Sequence, residues 1–213
     1  DALNAREADI EIYRVTHFEA MGSLVVDYPV TIHSDGGGIA RMSYTGVMFD
    51  VWDGGALTLK GDLVLDGRNV ANADRLVTVA GGGSLTLNDG ATLKNSTGGG
   101  AYVDGGTLTM RDSPIFGNTA DEGGGVYLTG STATFHMEGG RIYGNSANIG
   151  GGVYVAGGAQ MTMSGNARIG GAGRGNKTAG NGDGGGVYLT GDGSRLDMTG
   201  GGILGNEAQN GGG

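Results

Sequence analysis

Few side chains of this chain have the types and spacing that acid–base chemistry requires. His136 is flanked by Glu138, and a histidine beside a carboxylate is a common arrangement for proton transfer. His17 and His33 lie in a less regular N-terminal stretch and have no recognisable partner in the sequence. A solvent-exposed histidine explains His136 better than catalysis does, so we expect no catalytic residue.

Four tyrosines occupy the middle position of a recurring apolar–Tyr–apolar triplet: Tyr102, Tyr127, Tyr154 and Tyr188. We expect them to stack on one outward face as a flat aromatic strip. Such a strip could bind a glycan or a protein partner, because tyrosine combines contact area with a polar end. We favour the simpler interpretation that the rings stabilise adjacent coils. A register shifted by one residue would instead turn the rings inward.

Arg174 and Lys177 lie in a Gly-rich insertion, residues 170–183, which we expect to protrude as a loop. Loops on a rigid scaffold often carry binding functions, although an inert insertion fits at least as well. The insertion lacks the aspartates of calcium-binding Gly-rich repeats. It also lacks the Lys-Ser/Thr ending of a phosphate-binding loop. We therefore expect neither a cofactor nor a metal ion.

The elements that would position these residues are set by a repeat. Glycine triplets begin at Gly98, Gly123, Gly150, Gly184 and Gly211, with spacings of 25, 27, 34 and 27 residues. The third spacing is longer because it contains the insertion. A period in this range, filled with short alternating apolar runs, is typical of a solenoid in which each repeat forms one coil.

Each repeat contains three short segments whose apolar residues alternate with polar ones, which predicts three strands with one inward face. The inward residues of the first strand are Phe49/Val51, Val77/Val79, Ala101/Val103, Val126/Leu128, Val153/Val155 and Val187/Leu189. Those of the second are Leu57/Leu59, Leu85/Leu87, Leu108/Met110, Phe135/Met137, Met161/Met163 and Leu196/Met198. Those of the third are Leu63/Leu65, Leu93, Ile115, Ile142, Ile169 and Ile203.

Three inward columns predict an all-β fold, a right-handed parallel β-helix with three short strands per coil and about 25–27 residues per coil. Six aligned coils, each advancing about 4.8 Å, would form a rod roughly 30 Å long. Asn118, Asn145 and Asn206 each follow an Ile by three residues. We expect them to form a column near one turn, with amides bonded from coil to coil.

The two ends of the chain differ from its middle. We interpret residues 1–46 as an N-terminal cap with an irregular first coil, and residues 47–213 as regular coils. Three segments in the cap resemble strands: 10–15, 24–26 and 30–32. Residues 2–9 carry a weak signal for a short helix. The C-terminal end shows no cap, and an open strand edge can pair with another chain, so we expect end-to-end self-association through the last coil as an alternative.

Charge and composition exclude several classes of partner. The net charge is −9 and the sequence pI is about 4.6. Nucleic-acid binding requires a basic face, so we expect no nucleic-acid partner. No apolar run approaches the roughly 20 residues that span a bilayer, so we expect no membrane insertion of this segment. There is no cysteine, so disulfides cannot stabilise the fold.

The repeats resemble those of bacterial surface β-helix proteins of the polymorphic outer-membrane protein and adhesin type, within the pectate-lyase-like superfold. That family carries a Gly-Gly-Ala-Ile and a Phe-x-x-Asn motif in each coil. The counterparts here are Gly-Gly-Val at 124–126, 151–153 and 185–187, and Ile-x-x-Asn starting at Ile115, Ile142 and Ile203. The resemblance covers residues 47–213. It implies a right-handed β-helix that is secreted or displayed on the cell surface.

The same superfold includes polysaccharide lyases with a calcium-binding carboxylate cluster and hydrolases with paired carboxylates, and neither pattern is present here. We therefore expect a non-enzymatic extracellular or cell-surface protein, an adhesin-like stalk or ligand-presenting segment. One alternative is a structural subunit that assembles into an extracellular fibre. Another is a carbohydrate-binding or polysaccharide-degrading module, with a protein or glycan ligand on the tyrosine face.

Overall fold

The computed structural model describes residues 9–12, 17–20, 22–180 and 182–213. The chain folds as an all-β parallel solenoid, as predicted, and each coil but the last contributes one strand to each of three parallel sheets. Every strand pairs with the equivalent strand of the next coil, so equivalent residues lie one above another. The coils predicted from Phe49 onward are all present in this register.

The strands follow the chain through the three sheets in rotation. Sheet A contains β1 (Asp9–Ile12), β4 (Pro29–Ser34), β7 (Ala56–Gly61), β10 (Ser84–Leu87), β13 (Thr107–Met110), β17 (Thr134–Met137), β21 (Gln160–Met163) and β25 (Arg195–Met198). Sheet B contains β2 (His17–Ala20), β5 (Gly38–Arg41), β8 (Val64–Asp66), β11 (Thr92–Lys94), β14 (Pro114–Phe116), β18 (Arg141–Tyr143), β22 (Arg168–Gly170) and β26 (Gly202–Leu204). Sheet C contains β3 (Leu24–Val26), β6 (Phe49–Val51), β9 (Val77–Val79), β12 (Ala101–Asp104), β16 (Val126–Thr129), β20 (Val153–Val155) and β24 (Val187–Leu189).

The core is a column of aliphatic side chains enclosed by the three sheets. The predicted inward residues are buried through most of the solenoid, as Val126, Met137 and Ile142 illustrate with no exposed surface. Burying such a side chain contributes about 1.5–3 kcal/mol, and each coil obtains this only by stacking on its neighbours. The last coil is more open: Leu189 and Met198 are 40% and 45% exposed.

The N-terminal segment joins the same sheets. The strands expected near residues 10–15, 24–26 and 30–32 correspond to β1, β3 and β4. Asp9 begins β1, and the rest of the helix expected at residues 2–9 lies outside the described residues. Arg41, at the end of β5, is fully buried and donates hydrogen bonds to the carbonyls of Gly46, Asp74 and Arg75. The predicted cap boundary at residue 46 stays a prediction.

A fourth, shorter sheet accompanies the C-terminal coils, and the sequence interpretation did not include it. Sheet D contains β15 (Thr119–Glu122), β19 (Ser146–Ile149) and β23 (Lys177–Thr178). It follows directly on the asparagine at the turn between sheets B and C.

The predicted asparagine column exists and has one member more than expected. Asn118, Asn145, Asn176 and Asn206 form a continuous ladder, in which each Nδ2 donates to the Oδ1 of the next residue at 2.9–3.1 Å. Each Nδ2 also donates to a backbone carbonyl of the preceding coil. Each Oδ1 from Asn145 onward accepts a second bond, from the backbone N–H of the preceding asparagine.

Asn176 escaped the sequence analysis because the insertion separates it from Ile169 by seven residues instead of three. The seven inserted residues are therefore divided: four precede Asn176, and three follow it before the next glycine triplet. The dipeptide Gly175-Asn176, which the other ladder positions share, was the sequence signal available for it. The ladder continues through the insertion without a break.

Glycines of the triplets are required for two different reasons. The first glycine takes a positive φ in the later repeats, for example +65° at Gly150, which L-residues with a side chain rarely adopt. The third glycine lies against the asparagine ladder. A Cβ on Gly152 would approach the carbonyl oxygen of Gly186 to 2.5 Å and Nδ2 of Asn176 to 2.9 Å. Glycine at this position lets consecutive coils approach closely.

Candidate ligand-binding surfaces

The four tyrosines form a column on the outer face of sheet C, at the middle position of β12, β16, β20 and β24. Their side chains point outward and are partly buried, so the inward alternative is wrong. Successive ring centroids are 5.2, 4.8 and 5.4 Å apart. The column is not the expected flat strip, because the first two pairs meet edge to face at 75°. Ring quadrupoles favour this arrangement over a face-to-face sandwich.

Arg75 covers the first part of the tyrosine column. Its guanidinium carbon lies 4.7 Å from the ring centroid of Tyr102 and 5.3 Å from that of Tyr127, within the range of a cation–π interaction. Burial lowers the pKa of Arg75. Arg75 Nε is buried without a hydrogen-bond partner among the described residues. The rings that Arg75 touches are thus partly occupied by the protein itself.

Burial also changes the ionisation of the column. It raises the pKa of Tyr102, Tyr127 and Tyr154 above the ordinary phenol value. Negative charge adds to the rise, from Asp104 at Tyr102 and from Glu122 at the other two. The phenols of the column therefore stay protonated at neutral pH.

The structure gives His136 and Glu138 separate partners. His136, on the outer face of sheet A, has Nδ1 3.0 Å from Oγ1 of Thr162. Glu138 receives two hydrogen bonds from Arg111, the shorter at 2.7 Å. Each side chain is thus engaged with the neighbouring coil.

The N-terminal histidines lie on two different sheets. His33 Nε2, on β4, lies 3.3 Å from a carboxylate oxygen of Asp9. His17 lies in β2, and its side chain is outside the described part of the chain. The structure does not bring His33 to His136.

The insertion lies against the solenoid, and its two cations flank its turn. Arg174 is exposed, and its guanidinium carbon is 5.5 Å from the ring centroid of Tyr143. Lys177 is exposed at the start of β23 and pairs in register with Ser146. The expected protruding loop thus has both ends attached, one through sheet B and one through sheet D.

Sheet B carries a second aromatic group that sequence reasoning missed. Phe116 and Tyr143 stack face to face with centroids 5.0 Å apart and an interplanar angle of 8°. They occupy the variable position of Ile-x-Gly-Asn, next to the buried isoleucine, and this position was the available signal. The guanidinium carbon of Arg141 lies 5.3 Å from the Tyr143 centroid, so Arg141 and Arg174 both contact one ring.

Two open depressions adjoin Tyr143. The first, of about 440 Å³, is lined by Asp112, Asn166, Arg141 and Arg168. The second, of about 620 Å³, is lined by Phe116, Arg174, Lys177 and Glu207. Each depression therefore contains two cations and one carboxylate, which can bind an anionic group and accept hydrogen bonds from hydroxyls.

The described ranges contain neither a cluster of metal-ligand side chains nor a membrane-spanning helix. Within residues 9–12, 17–20, 22–180 and 182–213, no group of three or more histidine, aspartate or glutamate side chains is placed to hold a metal ion. In the same ranges, the fold contains no helix long and apolar enough to cross a bilayer.

Comparison of the chain with protein-family models, with curated proteins and with solved structures finds no match. The class of protein is therefore defined by the fold itself: a parallel β-solenoid repeat protein.

Proposed function

We propose that this chain is a non-enzymatic, extracellular or cell-surface β-helix that serves as an adhesin-like stalk or ligand-presenting segment. The resemblance of its repeats to bacterial surface β-helix proteins supports this proposal, and so does the structural use of the repeated residues. A stalk needs a rigid axis and a surface that can vary. Here the hydrogen-bonded asparagine ladder lies inside the rod, and the side chains outside differ from coil to coil.

The observation that carries the proposal is the asparagine ladder. Each buried amide makes its hydrogen bonds with the coils next to it, so coils cannot separate without leaving buried polar groups unpaired, at about 1–3 kcal/mol each. The repeated asparagines therefore hold neighbouring coils together. The outward residues His136 and Glu138, which were the candidates for catalysis, are engaged in cross-coil contacts.

Antibody labelling of the source cells tests the proposal. Antibodies raised against the folded chain should label intact cells, and protease added outside should remove the label. A cytosolic protein labelled in parallel serves as the control for leakage. Labelling that needs permeabilised cells would overturn the surface location.

A second candidate function is a structural subunit that assembles end to end with copies of itself into a fibre. The repeat supports it, because each coil joins the next through the same in-register parallel pairing, which a second copy of the chain can continue. Leu189 and Met198 are apolar and 40% and 45% exposed. Sedimentation velocity over a range of concentrations tests it: growing species that Met198→Asp abolishes support a fibre, and a monomer at every concentration contradicts it.

A further inference from the structure

The outer face of sheet B concentrates positive charge in an acidic protein. Four of the 13 lysines and arginines, Arg141, Arg168, Arg174 and Lys177, lie within 37 residues of sequence and border the two depressions beside Tyr143. Arg141 and Arg168 are direct neighbours in adjacent parallel strands. This local excess contrasts with the net charge of −9 for the whole chain.

These four cations lack salt bridges of the kind that Lys94, Arg111 and Arg195 make. Lys94 contacts Asp66 at 3.3 Å, Arg111 contacts Glu138 at 2.7 Å and Arg195 contacts Asp197 at 2.6 Å. Within the described ranges, none of the four forms such a pair. Like charges on adjacent strands destabilise a sheet, so the Arg141–Arg168 pair carries a local cost that a bound anion would offset.

Arg141 has a further unsatisfied group. Its Nη2 donates to the carbonyl of Gly170 at 3.2 Å. Its Nε is buried and, in the part of the chain that is described, has no hydrogen-bond partner. Arg141 is therefore held in place by the backbone and by the Tyr143 ring, while part of its hydrogen-bonding capacity is unused.

The shape of this face comes from one glycine. Along the outer column of sheet B, Phe116 and Tyr143 are followed by Gly170 and then by Leu204. Gly170 has a φ of +88°, and a Cβ there would collide with the carbonyl oxygen of Leu204. The column is interrupted at Gly170, and the side chain of Arg174 reaches Tyr143 from the insertion. Tyr143 thus separates two depressions, each with its own pair of cations.

We infer that this two-part surface, the arginine groove, binds a linear polysaccharide that carries carboxylate groups, one carboxylate in each depression. Planar guanidinium groups match carboxylates with paired hydrogen bonds. Asp112 and Glu207, one in each depression, accept hydrogen bonds from sugar hydroxyls. The inference does not depend on the proposed stalk function, because the groove would bind the same ligand wherever the protein is located.

Other polyanions fit the arginine groove less well. A peptide cannot add a strand here, because β18 and β22 are each paired on both sides, and strand addition needs an open edge. Nucleic-acid bases need free aromatic faces, whereas the Phe116 and Tyr143 rings face each other and Arg141 and Arg174 contact Tyr143.

Calorimetric titration of the full chain tests the inference. The ligands are oligomeric alginate as the carboxylated glycan, a heparin oligosaccharide as the sulfated one, neutral dextran, polyglutamate and single-stranded DNA. We expect alginate to bind most tightly and dextran not to bind. Affinity should fall as salt is raised, because exposed charges are screened.

Two double variants and a charge-matched control locate the site. Arg141→Gln/Arg168→Gln and Arg174→Gln/Lys177→Gln should each weaken alginate binding roughly tenfold or more, because hydrogen bonds to charged groups are lost. Lys60→Gln/Arg195→Gln removes the same charge from sheet A and should leave binding unchanged. If the first double variant fails to fold, the exposed Arg168→Gln alone replaces it, with the melting temperature as the check on folding.

Four results would overturn the inference. The first is no binding of alginate at all, and the second is alginate binding that is insensitive to both groove variants. Equal binding of DNA or polyglutamate would mean that charge alone is recognised. Tighter binding of heparin than of alginate would exclude carboxylate as the preferred anion.

Discussion

The asparagine ladder and the tyrosine column are both built from one side chain per coil, yet they behave differently. Each ladder amide is bonded to the coils beside it, and the linking distances vary only between 2.9 and 3.1 Å. The tyrosine rings meet at 75°, 75° and 25°. A buried polar group has no water to replace a lost partner, so its geometry is fixed. An outward ring keeps water as a neighbour, so its geometry can vary.

Removing one ladder amide should have the largest effect on stability and tests the difference between the two columns most directly. Asn145→Ala deletes two donor and two acceptor interactions and leaves the buried Asn118 N–H without its partner. We expect a loss of about 3 kcal/mol in the free energy of unfolding, measured by denaturant titration. Asn148→Ala is the matched control in the same repeat: Asn148 is exposed, makes one side-chain bond to Asp121, and should change stability by about 0.5 kcal/mol or less. Equal losses in the two variants would contradict the distinction.

Crowding the ladder with an added methyl group should cost less folding stability than removing one of its amides. Gly152→Ala places a methyl group against the Asn176 amide and the Gly186 carbonyl. Overpacking of this kind costs about 1–3 kcal/mol. Gly81→Ala is the control, because a Cβ on Gly81 meets nothing within 4 Å and the residue does not have a positive φ. Thermal melts of both variants check this, and a Gly152→Ala protein as stable as the control would show that the coils can separate to admit the methyl.

Removing one ring from the tyrosine column should cost less folding stability than removing one amide from the ladder. Tyr127→Ala removes ring contacts with Tyr102 and Tyr154 and the contact with Arg75. Aromatic pairs contribute about 0.5–1.5 kcal/mol each beyond buried area, so we expect a loss of about 1–2 kcal/mol in denaturant titration. Tyr127→Phe keeps the ring and should stay near wild type. A loss for Tyr127→Ala that exceeds the loss for Asn145→Ala would reverse the order of the two columns.

The smallest effect is a dependence on pH that only the tyrosine column should show. Burial raises the folded-state pKa of Tyr127 above its unfolded value of about 10. The folded state therefore binds the phenol proton more tightly, and this contribution is complete below about pH 10 and is lost as the pH rises through the folded pKa. The melting temperature of Tyr127→Phe should fall less steeply above about pH 10 than that of the wild type. Parallel curves would contradict the assignment, and the ladder amides do not titrate.

The sequence was sufficient for the parts of this fold that depend on period-two burial. Residues such as Phe135 and Ile142 alternate with polar neighbours at a repeating distance, and only a stacked coil buries all of them. The ladder was predicted for three positions from the same repeat. Asn176 was missed because spacing from Ile169 was the criterion, and an insertion changes spacing without changing the hydrogen bonds that the side chain makes.

The surfaces were harder to predict because they depend on contacts between distant segments. The tilt of the first tyrosine rings accompanies Arg75, which lies 27 residues before Tyr102 in the sequence. The arginine groove requires Gly170 to interrupt an aromatic column and Arg174 to reach back to Tyr143. No single repeat contains these partners, so the repeat pattern predicts where each residue lies but not which side chains meet.

The ladder also has a direction. Between its side chains, each Nδ2 donates to the Oδ1 of the C-terminal neighbour. The other hydrogen bond of each Nδ2 runs to a carbonyl of the preceding coil. A coil stacked beyond Asn206 would continue the column only by presenting an acceptor to Asn206 Nδ2, as Asn206 Oδ1 does to Asn176.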